Sequence, residues 1–131
     1  MALTVFLVED NPLIRENLIP AMAELGSASV MATAASQQEA IDWLADHKGQ
    51  WDLAVVDFFL KQGTGLDVVE WCNGREPHQR VVVLTNYATD ATRKSCLDAG
   101  ADAVFDKSTD LDAFFDFCLD RGRPRPLGNW R

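Results

Sequence analysis

The stretch LAVVDFFLK, residues 53–61, places a single carboxylate, Asp57, directly after a short apolar run. A run of this length and composition is typical of a strand that is buried in a sheet. A buried, unpaired charge costs several kcal/mol, so Asp57 must either lie at an exposed edge or be held in its ionised form by a partner. We therefore expect the strand to stop at Asp57 instead of continuing through it.

Other short apolar runs along the chain alternate with longer segments of helical period. The candidate strands are Leu3 to Val8, Ser29 to Thr33, Leu53 to Val56, Val81 to Leu84 and Ala103 to Phe105. Each is followed by a segment that ends near a glycine, where a helix can terminate in left-handed backbone. The glycines are Gly26, Gly49, Gly74, Gly100 and Gly122. The alternation predicts an α/β chain of the (βα)5 type.

Helix-start signals follow two of the strands. Asn11 precedes Pro12, which is a favoured first helical residue, and Ser36 is followed three positions later by Glu39 as in a capping box. Pro20 predicts a kink in the first helix.

The last helix shows one apolar stripe, from which Phe117 stands apart as a candidate outward contact. The stripe consists of Leu111, Phe114, Phe115, Cys118 and Leu119.

Apolar strands joined by helices should lie parallel and be covered on both faces, since each crossover is right-handed. The fold class is therefore a doubly wound α/β sheet of five parallel strands. In such sheets ligands bind beyond the carboxyl ends of the strands. Residues that directly follow strands are accordingly the candidates for function.

Composition limits the classes of function. The 131 residues fit one domain, and a net charge of −8 argues against direct nucleic-acid binding. Three cysteines without metal-binding spacing indicate a reducing compartment, the cytoplasm, and no membrane-spanning or leader segment is expected. We expect a domain over residues 1–121 and a short Arg- and Pro-rich tail over 122–131.

Charged and polar residues follow four of the five strands: Glu9, Asp10, Asp57, Thr85 and Lys107. If the strand order is 2-1-3-4-5, the three acids converge, and clustered acids need a counter-charge to stay ionised. A few carboxylate oxygens favour Mg²⁺ over Ca²⁺ or a thiolate-bound metal. A lysine and a hydroxyl opposite the metal would hold an anionic group, with Asp57 as the nucleophile of an aspartyl phosphate.

This pattern resembles the receiver domain of two-component response regulators, over residues 1 to about 121. The resemblance implies the flavodoxin-like strand order 2-1-3-4-5. It also implies that Glu9, Asp10, Asp57 and the main-chain carbonyl of Phe59 bind Mg²⁺.

In the same family the strand-4 hydroxyl and the strand-5 lysine contact the phosphoryl group, which corresponds to Thr85 and Lys107 in this chain. Gly65 matches the loop glycine of the family pattern.

The function that this resemblance implies is a stand-alone receiver. Asp57 would accept a phosphoryl group from a histidine kinase or a phosphotransfer protein. The chain would not be an enzyme acting on other substrates, and it would signal to an unknown protein target through strand 5 and its flanking helices, as a monomer or a phosphorylation-dependent dimer. An alternative is a docking module of the same fold that works without phosphorylation. A phosphatase would need an acid where Phe59 stands.

Several positions depart from the family pattern. Lys61 replaces a common proline, Asn86 replaces a small residue, and Val104 occupies the usual aromatic switch position. Phe59 and Tyr87 flank the expected path of an attacking water, so we expect a long-lived phosphoryl form.

Overall fold

A computed structural model of the protein describes residues 3–120. The elements are β1 Leu3–Val8, α1 Pro12–Gly26, β2 Ala28–Ala34, α2 Gln37–Asp46, β3 Leu53–Val56, α3 Gly65–Trp71, β4 Arg80–Thr85, α4 Asp90–Asp98, β5 Ala103–Asp106 and α5 Leu111–Asp120. A short 3-10 turn, Cys72–Gly74, follows α3. The predicted tail and the predicted domain boundary before it lie outside the described residues.

The strands form one parallel sheet in the order β2-β1-β3-β4-β5, which confirms the predicted fold class and order. Val8 of β1 pairs with Val56 of β3, and Val56 pairs with Val83 of β4. The carboxyl ends of the three central strands are therefore nearly level. Residues that follow these strands leave the sheet at one edge.

Helices cover both faces of the sheet. Phe6 and Val8 of β1 belong to the core layer under α2, α3 and α4, whereas Val5 and Leu7 belong to the layer under α1 and α5. All four residues are at most 1% exposed. Because both faces of each central strand are buried, the sequence of these strands is continuously apolar and does not alternate with polar residues.

The predicted helix starts are confirmed at Asn11 and Ser36. The Asn11 side chain accepts hydrogen bonds from the amides of Leu13 and Ile14, at 2.9 and 3.3 Å. The Ser36 hydroxyl accepts a hydrogen bond from the Glu39 amide at 3.1 Å. These caps fix where α1 and α2 leave the edge of the sheet, because each satisfies amides that the first turn leaves unpaired.

The end of α1 differs in detail from the expectation. Left-handed backbone falls on Ser27, with φ of 49°, and not on Gly26. Gly26 serves packing instead, since an added Cβ would lie 3.0 Å from the Cβ of Cys118 in α5. The helix also continues through Pro20, and a kink there stays a prediction.

Helix α5 corrects two expectations about its apolar stripe. Phe117, expected to face outward, is 3% exposed, and its ring lies 5.8 Å from that of Phe105. Leu119, expected in the stripe, is 47% exposed. The buried face of α5 is therefore rotated toward Phe117, because β5 beneath it presents the large ring of Phe105.

Candidate functional site

The three predicted acids meet at the carboxyl edge of the sheet. Glu9 and Asp10 follow β1, Asp57 follows β3, and the Asp57 amide donates to the Val8 carbonyl at 3.0 Å, which continues the pairing of the two strands. One carboxylate oxygen from each acid can be chosen such that all lie within 4.8 Å of one another. Adjacent parallel strands thus produce the acidic cluster that the sequence predicted.

Lys107, at the end of β5, reaches into this cluster. Its Nζ lies 2.6 Å from Oε1 of Glu9 and 3.0 Å from Oδ2 of Asp57. The side chains are 11% exposed for Lys107, 3% for Glu9 and 12% for Asp57. A largely buried cation is thereby shared between the buried Glu9 and the partly buried Asp57 carboxylate, an arrangement whose desolvation cost is offset only by close hydrogen-bonded contact.

The electrostatics of the cluster disfavour its negative charge. Burial raises the pKa of Asp57 to about 6, a shift that the Lys107 charge opposes and the neighbouring Glu9 carboxylate reinforces. Burial acts to lower the pKa of Lys107, but its hydrogen bond to Glu9 and the charge of Asp57 outweigh that effect, so the pKa is raised. The lysine therefore stays charged, while Asp57 is harder to ionise than an ordinary carboxyl group.

The donor set fits a hard divalent cation. Glu9, Asp10 and Asp57 offer only carboxylate oxygens, and no thiol or imidazole belongs to the group within residues 3–120. The loop amide of Lys61 donates to Oδ2 of Asp10 at 2.5 Å, and the Asn11 amide donates to Oε2 of Glu9 at 3.2 Å. These backbone bonds orient the carboxylates, and the negative charge that remains after pairing with one lysine suits Mg²⁺.

The loop after β3 passes close under Asp57, and Gly65 makes this possible. A Cβ added at Gly65 would lie 2.0 Å from the Asp57 carbonyl oxygen. The Gly65 amide also donates to the Phe58 carbonyl at 3.0 Å, and the Phe59 amide donates to Oδ1 of Asp57 at 3.3 Å. Glycine is thus required by close backbone approach, which fixes the loop around the acidic cluster.

Thr85 and Lys107 lie side by side at the ends of β4 and β5. The Lys107 amide donates to the Thr85 carbonyl at 2.9 Å. Thr85 is fully buried, and its hydroxyl oxygen accepts a hydrogen bond from the Tyr87 amide at 3.2 Å. Of the two predicted phosphoryl contacts, the lysine is therefore engaged with the acids, whereas the threonine side chain holds its own loop.

Two exposed aromatic rings stand over the loops that flank the cluster. Phe59 is 52% exposed and Tyr87 is 61% exposed, and their ring centroids are 5.0 Å apart in an edge-to-face arrangement. Their contact joins the loop after β3 to the loop after β4. The sequence placed both residues beside the site but did not predict that they touch.

Arg15 is a site residue that the sequence reasoning missed. Its guanidinium donates to the Glu9 carbonyl at 2.7 Å from one turn inside α1. The signal available was its position four residues after the N-cap Asn11, close above the acid pair in the helix. This bond ties the end of β1 to the helix that follows it.

The chain belongs to the response regulator receiver domain family, whose sequence model matches residues 5–117. Receiver domains are signalling domains that are phosphorylated by histidine kinases or phosphotransfer proteins and bind Mg²⁺ at an acidic pocket. The arrangement of Glu9, Asp10, Asp57 and Lys107 at the carboxyl edge is consistent with that membership.

Curated relatives include two RegA proteins. The chain is 31% identical over 123 residues to the photosynthetic apparatus regulatory protein RegA of Rhodobacter capsulatus, covering 94% of this chain and 65% of that protein. It is 33% identical over 118 residues to RegA of Rhodovulum sulfidophilum, covering 90% and 62% respectively. The chain spans less than two thirds of the length of these relatives.

Solved structures share the fold. The response regulator domain of Thermotoga maritima CheB has a TM-score of 0.80 and 14% identity, with 96% of this chain and all of that chain covered. A Burkholderia pseudomallei response regulator, solved with a phosphorylated aspartic acid, calcium ion and citrate, has a TM-score of 0.74 and 23% identity, with 91% and 68% covered. Within residues 3–120, none of the helices combines the length and apolar character needed to cross a membrane.

Proposed function

We propose that Asp57 accepts a phosphoryl group, in a Mg²⁺-dependent reaction, from the phosphohistidine of a sensor kinase or a phosphotransfer protein. The observation that carries this proposal is the position of the Asp57 carboxylate, which shares Lys107 with Glu9 at the open edge of the sheet. A carboxylate fixed between a cation and further acids is arranged for phosphoryl transfer, which depends on positioning and charge neutralisation.

Glu9, Asp10, Asp57 and the main-chain carbonyl of Phe59 would hold the metal ion. When bound, Mg²⁺ supplies neutralisation of the charge that develops on the phosphoryl oxygens. The carboxylates of Glu9 and Asp10 are already oriented by the amides of Asn11 and Lys61, at 3.2 and 2.5 Å.

In the transfer step, a carboxylate oxygen of Asp57 forms a bond to phosphorus while the bond between phosphorus and the donor imidazole nitrogen breaks. The electron pair of that bond remains on the imidazole, so the donor leaves as a neutral group after proton uptake. Lys107 donates hydrogen bonds to the incoming phosphoryl oxygens, and Thr85 offers its hydroxyl from the adjacent strand end. Both residues hold the product without being consumed.

We infer a receiver over residues 1–121 that signals in the cytoplasm through protein contacts, with no chemistry beyond gain and loss of its own phosphoryl group. Support comes from Cys72 and Cys96, which are buried thiols that form no disulfide within residues 3–120, as expected in a reducing compartment. The donor and the target protein are to be identified by capture with the phosphorylated and unphosphorylated forms.

The deciding experiment is incubation of the protein with acetyl phosphate and Mg²⁺, followed by intact mass measurement. The wild type should gain one phosphoryl group, and the gain should disappear in Asp57→Asn and in excess chelator. Asp98→Asn, which changes an exposed acid on α4, is the matched control and should behave as the wild type. A gain that persists in Asp57→Asn, or no gain in the wild type, would overturn the proposal, and the latter would favour the phosphorylation-independent docking module.

A further inference from the structure

Arg93, in the first turn of α4, binds three separate segments with one guanidinium. Its Nε donates to the Ala88 carbonyl, one terminal nitrogen donates to the Val104 carbonyl, and the other donates to Oδ2 of Asp110, each at 3.0 Å. These partners lie in the loop after β4, in β5 and at the start of α5. A single side chain therefore connects the two loops on this side of the predicted phosphorylation site.

At one end, Arg93 is fixed to the turn that carries Lys107. The same Asp110 oxygen that binds Arg93 accepts a hydrogen bond from the Asp106 amide at 2.9 Å, and the Asp110 amide donates to the Asp106 carbonyl at 2.9 Å. Two hydrogen bonds therefore join the first and the last residue of this turn, residues 106–110. Any displacement of Lys107 must be accommodated by a turn whose closing residue is bound to Arg93.

At the other end, Arg93 is fixed to the loop that follows Thr85. The Tyr87 amide binds the Thr85 hydroxyl, and the Thr89 amide donates to the Tyr87 carbonyl at 2.9 Å. Ala88, whose carbonyl Arg93 binds, lies between these two anchored residues. The loop is thus linked to the site by the threonine and to α4 by the arginine.

Between the two ends, Arg93 occupies the outer edge of the sheet. Val104 is 3% exposed and packs in the core beneath α4, so its side chain cannot swing between an inner and an outer position without opening that core. Its carbonyl, however, points to Arg93. In this chain the connection across β5 is made by a guanidinium and backbone carbonyls, not by the side chain of residue 104.

We propose that Arg93 is a positioning residue that couples the charge state of Asp57 and Lys107 to helix α4. The inference deepens the proposed function, since it names how an occupied site would reach the face formed by α4 and β5. Guanidinium forks make several directed, charge-assisted bonds at once, whereas a lysine amine cannot match that geometry. Loss of the fork should uncouple α4 from the site without removing the site.

The test uses Asp57→Asn as a defined change of charge and follows backbone amide shifts by nuclear magnetic resonance. With Arg93 present, Asp57→Asn should change the amide chemical shifts of the 106–110 turn, of Ala88 and of α4 as far as Leu97. In Arg93→Gln and Arg93→Lys, the shifts within the 106–110 turn should persist. The chemical-shift changes that Asp57→Asn causes at Ala88 and in α4 should fall by about half or more. Such non-additive effects of two substitutions show that the two residues are coupled.

Lys94→Gln is the matched control, because Lys94 lies on the same turn and pairs with the exposed Asp98 at 2.7 Å. It removes the same charge and should leave the α4 shifts at their wild-type size. The proposal would be overturned if Asp57→Asn changed the α4 chemical shifts as much in Arg93→Lys as it does with Arg93 present. It would also be overturned if Asp57→Asn caused no change in α4 with Arg93 present. Arg93→Lys keeps the charge and decides the question if Arg93→Gln does not fold.

Addition of acetyl phosphate and Mg²⁺ to the same variants separates this inference from the proposed function. Arg93→Lys should still gain a phosphoryl group, because Arg93 touches none of the three acids in the described structure. Absence of phosphorylation in the wild type would refute the proposed function, while the Asp57→Asn comparison would still decide the coupling.

Discussion

Replacing Asp57 with asparagine should stabilise the metal-free protein at neutral pH. The pKa of Asp57 is raised from 3.8 to about 6, chiefly by burial, and its side chain is 12% exposed. This increase in pKa means that the ionised carboxylate destabilises the folded protein by about 3 kcal/mol relative to the neutral group, at about 1.4 kcal/mol per pH unit. The raised pKa already includes the opposing effect of Lys107, so a gain in stability of up to about 3 kcal/mol is expected.

Because the pKa of Asp57 is raised on folding, this residue makes the fold less stable as the pH rises. The folded protein binds the Asp57 proton more tightly than the unfolded chain, so this group stabilises the fold only when it is protonated. Its contribution to the free energy of unfolding therefore falls as the pH rises from about 4 to about 6, and the full penalty is present above that range. Asparagine does not titrate and should remove this part of the slope.

Urea unfolding in chelator, at a series of pH values from 4.5 to 7.5, measures the effect. The wild type should lose stability across the lower half of that range relative to Asp57→Asn, and Mg²⁺ should restore stability to the wild type alone by binding the folded state. Asp98→Asn should keep the wild-type slope. If the free energy of unfolding changed with pH equally in the wild type and in Asp57→Asn, or if Asp57→Asn were the less stable protein at pH 7.5, burial would not be what sets the pKa of Asp57.

Two further predictions concern the loops around the acidic cluster. Gly65→Ala should destabilise the protein by several kcal/mol in thermal or urea unfolding, because the methyl group would meet the Asp57 carbonyl at 2.0 Å, whereas Gly74→Ala, with open space around it, should have little effect. Equal effects of the two would refute the close approach. The double variant Phe59→Ser, Tyr87→Ser should lose its phosphoryl group several-fold faster than the wild type, as followed by intact mass, because the paired rings restrict access of water to Asp57. An unchanged decay rate would contradict that role.

The fold could be predicted because its signals are local and mutually consistent. Each central strand is a continuous apolar run, since both of its faces are buried, and the caps at Asn11 and Ser36 mark where the chain turns back. The acidic cluster could be located for the same reason, since parallel strands bring their carboxyl ends to one edge. The roles of Glu9, Asp10, Phe59, Thr85 and Lys107 in phosphorylation stay predictions.

What the sequence could not supply are features decided by packing between distant segments. Helical periodicity predicted Leu119 and not Phe117 on the buried face of α5, and this was wrong, because Phe117 packs against the ring of Phe105 in β5 while Leu119 is exposed. Arginine side chains are long, and their partners are chosen by the folded backbone. The contacts of Arg93 with three segments therefore have no local signal, and the bond of Arg15 to Glu9 is indicated only by the position of Arg15 in the helix.

The charge balance of the cluster gives a physical reason why the proposed phosphorylation of Asp57 would change the conformation. Lys107 is shared by Glu9 and Asp57, so the anionic group that we propose for Asp57 would compete for the same amine. Movement of that amine away from Glu9 would leave a carboxylate that is 3% exposed without its cation, which is costly unless a metal ion takes its place.

Metal binding and phosphorylation should therefore reinforce each other, and both should displace the turn that carries Lys107. Because Asp110 closes that turn and is held by Arg93, the displacement has a direct route to α4.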